Sequence, residues 1–303
     1  MIFPRRIHFC ISGLACIAAL LCSISHASMK SYRSASRQIP PESIAIVSFF
    51  APDPRAVQHG MSTMTNWLGH AAVRNHGRYA LQHGYLQLTT EQCLGDPSGL
   101  DHITPRPWAK VFLLSACVER YQTVQYFLWL DADVLITNIW KPVSEILADT
   151  SVENRNCSIV VAKDRRLFNT GVILLRTDEG STGMLNALMS SYLSGDYRHA
   201  YCCWEQDAMR SLIENSTAHP WRLADLLLDA AAGIEPLQAV VMPVQRGPLC
   251  VVRRRALQSF LKWDEYRSGD FAIHATCADD VRHKAQLLQI LHQESVDTAG
   301  IPP

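Results

Sequence analysis

Neither charge is in excess in this sequence: 28 Lys and Arg balance 28 Asp and Glu over 303 residues, and charged residues make up only 18% of the chain. A general binder of nucleic acid or acidic membranes needs a surplus of cations, so a small, local partner is expected instead. Low-complexity tracts and internal repeats are absent. So is any Cys-x-x-Cys pair, which speaks against a structural zinc site. What remains is a chain with 48% hydrophobic residues, enough for one large core or two modest ones.

The amino terminus reads as a targeting segment. Arg5 and Arg6 precede an apolar stretch from Ile7 to Ile24, broken by little more than His8, Ser12 and Ser23, and Ser25-His26-Ala27-Ser28 has the small residues of a cleavage site. The stretch is intermediate in length between a signal peptide and a full span. Either outcome sends the remainder into the secretory pathway, and an uncleaved anchor with its arginines in the cytoplasm leaves the remainder in the lumen. Three of the ten cysteines, Cys10, Cys16 and Cys22, lie in this segment; the seven beyond it are odd in number, so at least one stays free, and spacing does not give their pairing. Asn156-Cys157-Ser158 and Asn215-Ser216-Thr217 have the N-glycosylation pattern. Expected boundaries are a signal anchor or signal peptide over 1–28, a stem over 29–43 ending in Pro40-Pro41, one domain over 44–290 and a disordered tail over 291–303.

Within the domain, Ile44 to Phe50 is a short β-branched run stopped by Pro52 and Pro54, a first buried strand. Ser62 to His83 has helical spacing, with Met64, Trp67, Leu68, Ala71 and Ala72 on one face and Gly84 as its stop. A strand over Tyr85 to Thr89 follows, then a helix over Trp108 to Tyr121 that turns Val111, Phe112, Ser115 and Val118 inward. Strand and helix alternate, which predicts an α/β doubly wound, mostly parallel sheet flanked by helices. Further strands are expected at Ser158 to Ala162, Phe168 to Arg176, Ala239 to Val244 and Gly269 to His274, with helices at Met184 to Leu193 and Glu205 to Ile213.

The centre of the pattern is Tyr126-Phe127-Leu128-Trp129-Leu130-Asp131-Ala132-Asp133, an apolar strand that runs into two carboxylates. Ligands of open α/β sheets bind beyond the carboxyl ends of the strands, where Asp131 and Asp133 fall. Carboxylate oxygens suit Mg²⁺ or Mn²⁺, which share their remaining positions with water and substrate phosphates. The residues thus point to a metal-diphosphate site, although an Asp-x-Asp triplet also ends ordinary strands.

The ordered succession Arg78 to Tyr85, Trp108-Ala109-Lys110, Trp129 to Asp133, Asn169-Thr170-Gly171, Glu205-Gln206-Asp207 and His274 resembles the galactosyltransferase family of the yeast GMA12/MNN10 type, which also holds the plant xyloglucan xylosyltransferases. The likeness runs from about residue 44 to residue 290. It implies a type II Golgi membrane protein with a Rossmann-like GT-A fold. It also implies a Mn²⁺- or Mg²⁺-dependent glycosyltransferase that moves a hexose or pentose from a nucleotide-sugar to a glycan or glycoprotein acceptor with retention of configuration. UDP-galactose, UDP-xylose and GDP-mannose are all used in the wider family. By the same resemblance Asp131, Asp133 and His274 hold the metal. Ser48, Lys110, Ala132, Asn169 and Gly171 line the donor site together with the two aspartates, and Gln206, with Glu205 and Asp207, stands beside the reacting carbon. The family's basic residue shortly after the histidine is replaced here by Thr276 to Asp280, which leaves Arg282 or Lys284 as substitutes.

Two other readings stay open. Leu130 to Leu135 also fits a phosphohydrolase of the haloacid-dehalogenase type, with Asp131 as nucleophile, Asp133 as acid, and Lys262 and Asp279-Asp280 as later elements, though that motif normally opens its domain. Alternatively, the chain keeps the fold and binds a glycan without transferring sugar.

Overall fold

The computed structural model describes residues 39–50, 62–103, 105–149, 156–164, 167–195, 203–216, 240–242, 249–260, 266–275, 287 and 290. Contacts divide the chain after Gln38, and all of these residues lie in the unit from Ile39 to Pro303. The apolar stretch Ile7–Ile24, Arg282, Lys284, Lys262, Asp279 and Asp280 lie outside them. Among the described residues, no helix is long and apolar enough to cross a membrane.

In chain order the strands are β1 (Ile44–Ser48), β2 (Leu86–Leu88), β3 (Tyr126–Leu130), β4 (Val134–Ile136), β5 (Ile159–Ala162), β6 (Asn169–Arg176), β7 (Val240–Met242), β8 (Leu249–Val252), β9 (Ser259–Phe260) and β10 (Ala272–His274). The α-helices are α1 (Ser62–His83), α2 (Thr90–Leu94), α3 (Ala109–Arg120), α4 (Val143–Asp149), α5 (Glu179–Ser194), α6 (Trp204–Ser216) and α7 (Arg254–Leu257). Seven strands form one sheet in the order β2-β1-β3-β6-β5-β8-β7, and three form a second in the order β4-β10-β9.

The expected mostly parallel sheet is present, with a reversal at the point that matters for the site. β2, β1 and β3 run parallel, β6 is antiparallel to both β3 and β5, and β5 runs parallel to β8. β3 is fully buried from Phe127 to Leu130 and separates two apolar layers. Phe127 and Trp129 pack toward α3 and α5, whereas Leu128 and Leu130 pack with Ile44, Ile46 and Tyr79. This is the period-two alternation of a strand covered on both faces. Among the described residues, one disulfide, Cys93–Cys117, ties α2 to α3 in the first layer, and another, Cys157–Cys250, lies beside β5 and β8 in the second.

α1 spans the expected range and stops at Gly84, whose φ of 69° is a left-handed conformation that favours glycine. Its inner face carries Leu68, Ala71 and Ala72 as expected, while Trp67 is partly exposed. The same face continues into polar residues, because it covers the open edge of β4. Asn75 donates to the Ile136 carbonyl at 2.9 Å and accepts from the Ile136 N–H at 2.7 Å. His76 Nε2 bonds the Val134 carbonyl at 2.8 Å. Two helix side chains thus do for β4 what a neighbouring strand would do. On the other edge, β10 pairs antiparallel with β4, so that His274 stands opposite Val134.

Two departures from the sequence reading have local causes. α5 begins at Glu179, earlier than its apolar spacing suggested, because Asp178 and Ser181 form a reciprocal cap. Within α3 the buried face is wider than Val111 and Val118 alone: Lys110, Leu113, Leu114 and Cys117 are also buried, while Phe112 and Ser115 are only half-buried.

Replacing Asn75 with Leu strands a buried N–H and a buried carbonyl of Ile136, and a loss of about 2–3 kcal/mol is expected in urea unfolding. His76 gives a pH signature. Burial lowers its pKa from 6.5 to about 4, against the smaller opposing effect of its bond to Val134. Its Nδ1 is buried without a partner, so a second proton would find no acceptor. Between pH 6.5 and 4 the unfolded chain takes up a proton that the folded chain refuses. This contribution is therefore whole above pH 6.5 and lost as pH falls, reaching about 3 kcal/mol. In thermal melts across that window, His76→Gln should flatten the slope; an unchanged slope would place the effect elsewhere.

Candidate active site

The site lies where the two sheets meet. β3 ends at Leu130, and the chain turns through Asp131-Ala132-Asp133 directly into β4. The reversed strand β6 then supplies the other wall: Asp131 N–H donates to the Gly171 carbonyl at 2.8 Å, which brings Asn169-Thr170-Gly171 beside the aspartates. From the second sheet, Ala275 N–H donates to the Asp133 carbonyl at 2.8 Å and fixes His274 on the other side. Ser48, at the end of β1, pairs in register with Leu130, next to Asp131. Four stretches far apart in sequence are joined by main-chain hydrogen bonds before any side chain acts.

Lys110 is the electrostatic centre. Its ammonium is buried and lies 2.9 Å from Asp131 Oδ1, 2.9 Å from Glu205 Oε1 and 3.1 Å from the Thr170 carbonyl. Burial alone would lower its pKa, but the carboxylates of Asp131 and Glu205 outweigh that and raise it, so it stays charged. Asp131 is further held by the Trp129 indole N–H at 2.6 Å. A register shift between β5 and β6 frees Thr170 from the ladder. Its N–H and hydroxyl then reach α6, donating to Gln206 Oε1 at 3.1 Å and to Glu205 Oε1 at 2.9 Å. Burial raises the Glu205 pKa, with Lys110 pulling the other way, and Glu205 Oε2 is buried with no partner.

On the other side, His274 Nε2 is 3.2 Å from Asp133 Oδ1, and one ligand atom from each of Asp131, Asp133 and His274 falls within 4.8 Å of the others. Burial would raise the Asp133 carboxyl pKa, but His274, with help from Lys110, lowers it. Asn169 Oδ1 faces His274 Nδ1 at 3.1 Å. Gly171 is needed here for space, since a Cβ at that position would run into the His274 ring.

A cavity of about 430 Å³ opens on this cluster. Phe49, Phe50, Leu68, Trp129 and Ala132 form its apolar wall, and Arg106, Lys110, Asp131 and Asp133 its polar part. Most of the expected site residues are therefore brought together: Lys110, Asp131, Ala132, Asp133, Asn169, Gly171, Glu205, Gln206 and His274. Asp207 is buried in the first turn of α6, where it accepts from Cys203 N–H at 3.2 Å, and no bond joins it to Lys110 or the two aspartates among those described. Arg282 and Lys284 fall outside the described residues. Phe49, Phe50 and Arg106 were not expected; the available signal was their position, immediately past the end of β1 and just before α3.

With this geometry in place, comparison with known proteins is informative. Residues 43–153 match the family model described as galactosyl transferase, GMA12/MNN10 family. The GMA12/MNN10 resemblance therefore holds. A probable alpha-1,6-mannosyltransferase, MNN10 of Saccharomyces cerevisiae (strain ATCC 204508 / S288c), is 26% identical over 176 residues, covering 50% of this chain and 43% of the yeast protein. The alignment thus spans less than half of that relative. Among solved structures, a glycosyltransferase involved in glycosylation of the major capsid of PBCV-1 superposes with a TM-score of 0.50 at 14% identity, covering 81% of this chain and 98% of that one. The galactosyltransferase LgtC, in complex with donor and acceptor sugar analogues, gives 0.38 at 12% identity over 82% and 95% of the two chains. The fold is GT-A, as expected from the GMA12/MNN10 pattern.

The donor set also suits a divalent ion. Three carboxyl groups, Asp131, Asp133 and Glu205, gather around one buried ammonium, and Asp131, Asp133 and His274 offer two oxygens and a nitrogen in reach of one ion. Gly171→Ala should displace the His274 ring and weaken Mn²⁺ binding by about tenfold or more with little loss of fold. Titration of Mn²⁺ followed by electron paramagnetic resonance measures this directly, and equal affinity in the two proteins would separate His274 from the ion.

Proposed function

We propose that this protein is a metal-dependent glycosyltransferase that moves a hexose or pentose from a nucleotide-diphosphate sugar to a glycan acceptor, with retention of configuration. The observation that carries the reading is the convergence of Asp131, Asp133 and His274 beside a cavity that the two aspartates line and whose other wall is apolar. Such a site has room for a base against Phe49, Phe50 and Trp129 and for a diphosphate at the carboxylates. A Mn²⁺ or Mg²⁺ ion held by Asp131, Asp133 and His274 would supply positive charge to the departing diphosphate.

The chain's own residues divide the remaining work. Lys110 pairs with Asp131 and aims it, and Trp129 fixes its rotation. Glu205 and Gln206, both held by Thr170, would stand beside the sugar and stabilise its developing positive charge. Asp207 would act through the first turn of α6, while Ser48, Ala132, Asn169 and Gly171 would shape the donor pocket. Arg282 and Lys284 would be the basic residues after His274. Conversely, Asp131 has Lys110 and Trp129 bound to its carboxylate, so it is poorly placed to serve as the free nucleophile of a phosphohydrolase.

The transferase would occupy residues 44–290 in the Golgi lumen, held to the membrane by its N-terminal segment as a type II protein. Two disulfides support an oxidising compartment. Calorimetric titration with UDP and with GDP, each with and without Mn²⁺, tests the donor site and chooses the base. Binding of one nucleotide only with Mn²⁺, and its loss in Asp133→Ala, is the expected result. Failure to bind either would sink the transferase reading.

A further inference from the structure

Gln258 lies between α7 and β9, is fully buried, and carries a side-chain oxygen, Oε1, with no hydrogen-bond partner. A buried orphan acceptor has a cost, and an apolar side chain of the same size would avoid it. What the side chain does with its other end explains its presence. Gln258 Nε2 donates to Asn169 Oδ1 at 2.9 Å, and that oxygen also accepts from the Gly171 N–H at 2.7 Å.

These two donors settle which way the Asn169 amide points. Rotated by half a turn, it would set its NH₂ against the Gly171 N–H and the Gln258 NH₂, donor against donor. With the oxygen so fixed, the contact of 3.1 Å to His274 Nδ1 requires a proton on Nδ1. A neutral imidazole then has its lone pair on Nε2, the nitrogen that faces Asp133 Oδ1 at 3.2 Å. Either a proton on that nitrogen or a metal ion can bridge it to the carboxylate, and in both cases Nε2, not Nδ1, is the nitrogen turned to the ligand cluster.

We propose that Gln258 is a positioning residue of the metal site: through Asn169 it sets the His274 tautomer that leaves Nε2 available to a divalent ion. The inference rests on the metal-binding reading above and adds to it a residue from outside the cavity. Partners of the second nitrogen commonly decide how well a histidine ligates. Gln258 is also well braced, because its neighbours Leu257 and Ser259 are fully buried. Ser259 donates to Asp270, whose carboxylate also accepts from Arg255 at 2.8 Å and from Arg267 N–H at 2.9 Å.

The test uses the full chain and Mn²⁺ alone as probe. In Gln258→Met the orphan oxygen is gone and volume is kept, so the melting temperature should hold or rise, while the Mn²⁺ dissociation constant should increase about 10- to 100-fold. Gln258→Leu provides a second apolar replacement with the same expectation. Adding Asn169→Asp to Gln258→Met should recover most of the lost affinity, because a carboxylate accepts from His274 Nδ1 in either orientation. A merely structural Gln258 would change the melting temperature and leave Mn²⁺ binding alone, and that result, or failure of Asn169→Asp to recover affinity, overturns the assignment. No Mn²⁺ binding by the parent protein would overturn the metal reading and this inference together, whereas normal parental binding with an unaffected Gln258→Met overturns the inference only.

Discussion

The buried ammonium of Lys110 is the interaction on which the site depends. It touches the end of β3, the start of β6 and the first turn of α6 at once, through Asp131, Thr170 and Glu205. Trp129 and Thr170 also donate to Asp131 and Glu205, but they are neutral, and only the ammonium offsets the repulsion of two carboxylates and a carbonyl drawn this close. The ion pairs here hold elements in register more than they add net stability. Removing the lysine would leave the half-buried Asp131 and the buried Glu205 without the charge they share.

A second constraint is topological. Parallel strands deliver ligands to one end of a sheet, but residues from a single parallel sheet arrive at that end side by side. Reversal of β6 sends a strand into the site from the other direction, so that its first residues, Asn169 to Gly171, meet the last residues of β3. The antiparallel pair β4–β10 does the same for His274. The site is therefore a junction of main-chain ladders, and its side chains are held at their bases by backbone hydrogen bonds.

This explains what could be read from the sequence. The buried strand ending in Asp131-Ala132-Asp133, the helix Ser62–His83 with its Gly84 stop, and the alternation of strand and helix all have local signatures, and each appears close to its expected place. The family succession named Lys110, Asn169, Gly171, Glu205, Gln206 and His274, and the fold brings these together. The pairing of Cys93 with Cys117 and Cys157 with Cys250 had no signature, because it depends on which elements neighbour one another in space. The same holds for the roles of Asn75, His76 and Gln258. A polar residue on an apolar face looks like an interruption of the pattern until the open strand edge or the neighbouring amide that it satisfies is known. The direction of β6 was equally hidden, since a buried run such as Thr170 to Leu175 reads alike in either orientation.

The charge balance has a consequence for the chemistry. Lys110 was the natural candidate to meet a diphosphate, yet its three close partners are Asp131, Glu205 and the Thr170 carbonyl, so little of its field is left for a second anion. On the transferase reading, the charge of a leaving diphosphate must then be met by the ion at Asp131, Asp133 and His274 and by a further cation. Arg106 is the other cation lining the cavity among the described residues, fixed through Nη1 to the Leu100 carbonyl at 3.1 Å. It stands in the short 3₁₀ helix Arg106–Trp108 that leads directly into α3 and Lys110. With Lys110 occupied in assembling the site, the balancing charge on that reading would come from the ion and from cations that line the cavity, such as Arg106, beside any that Arg282 or Lys284 supplies.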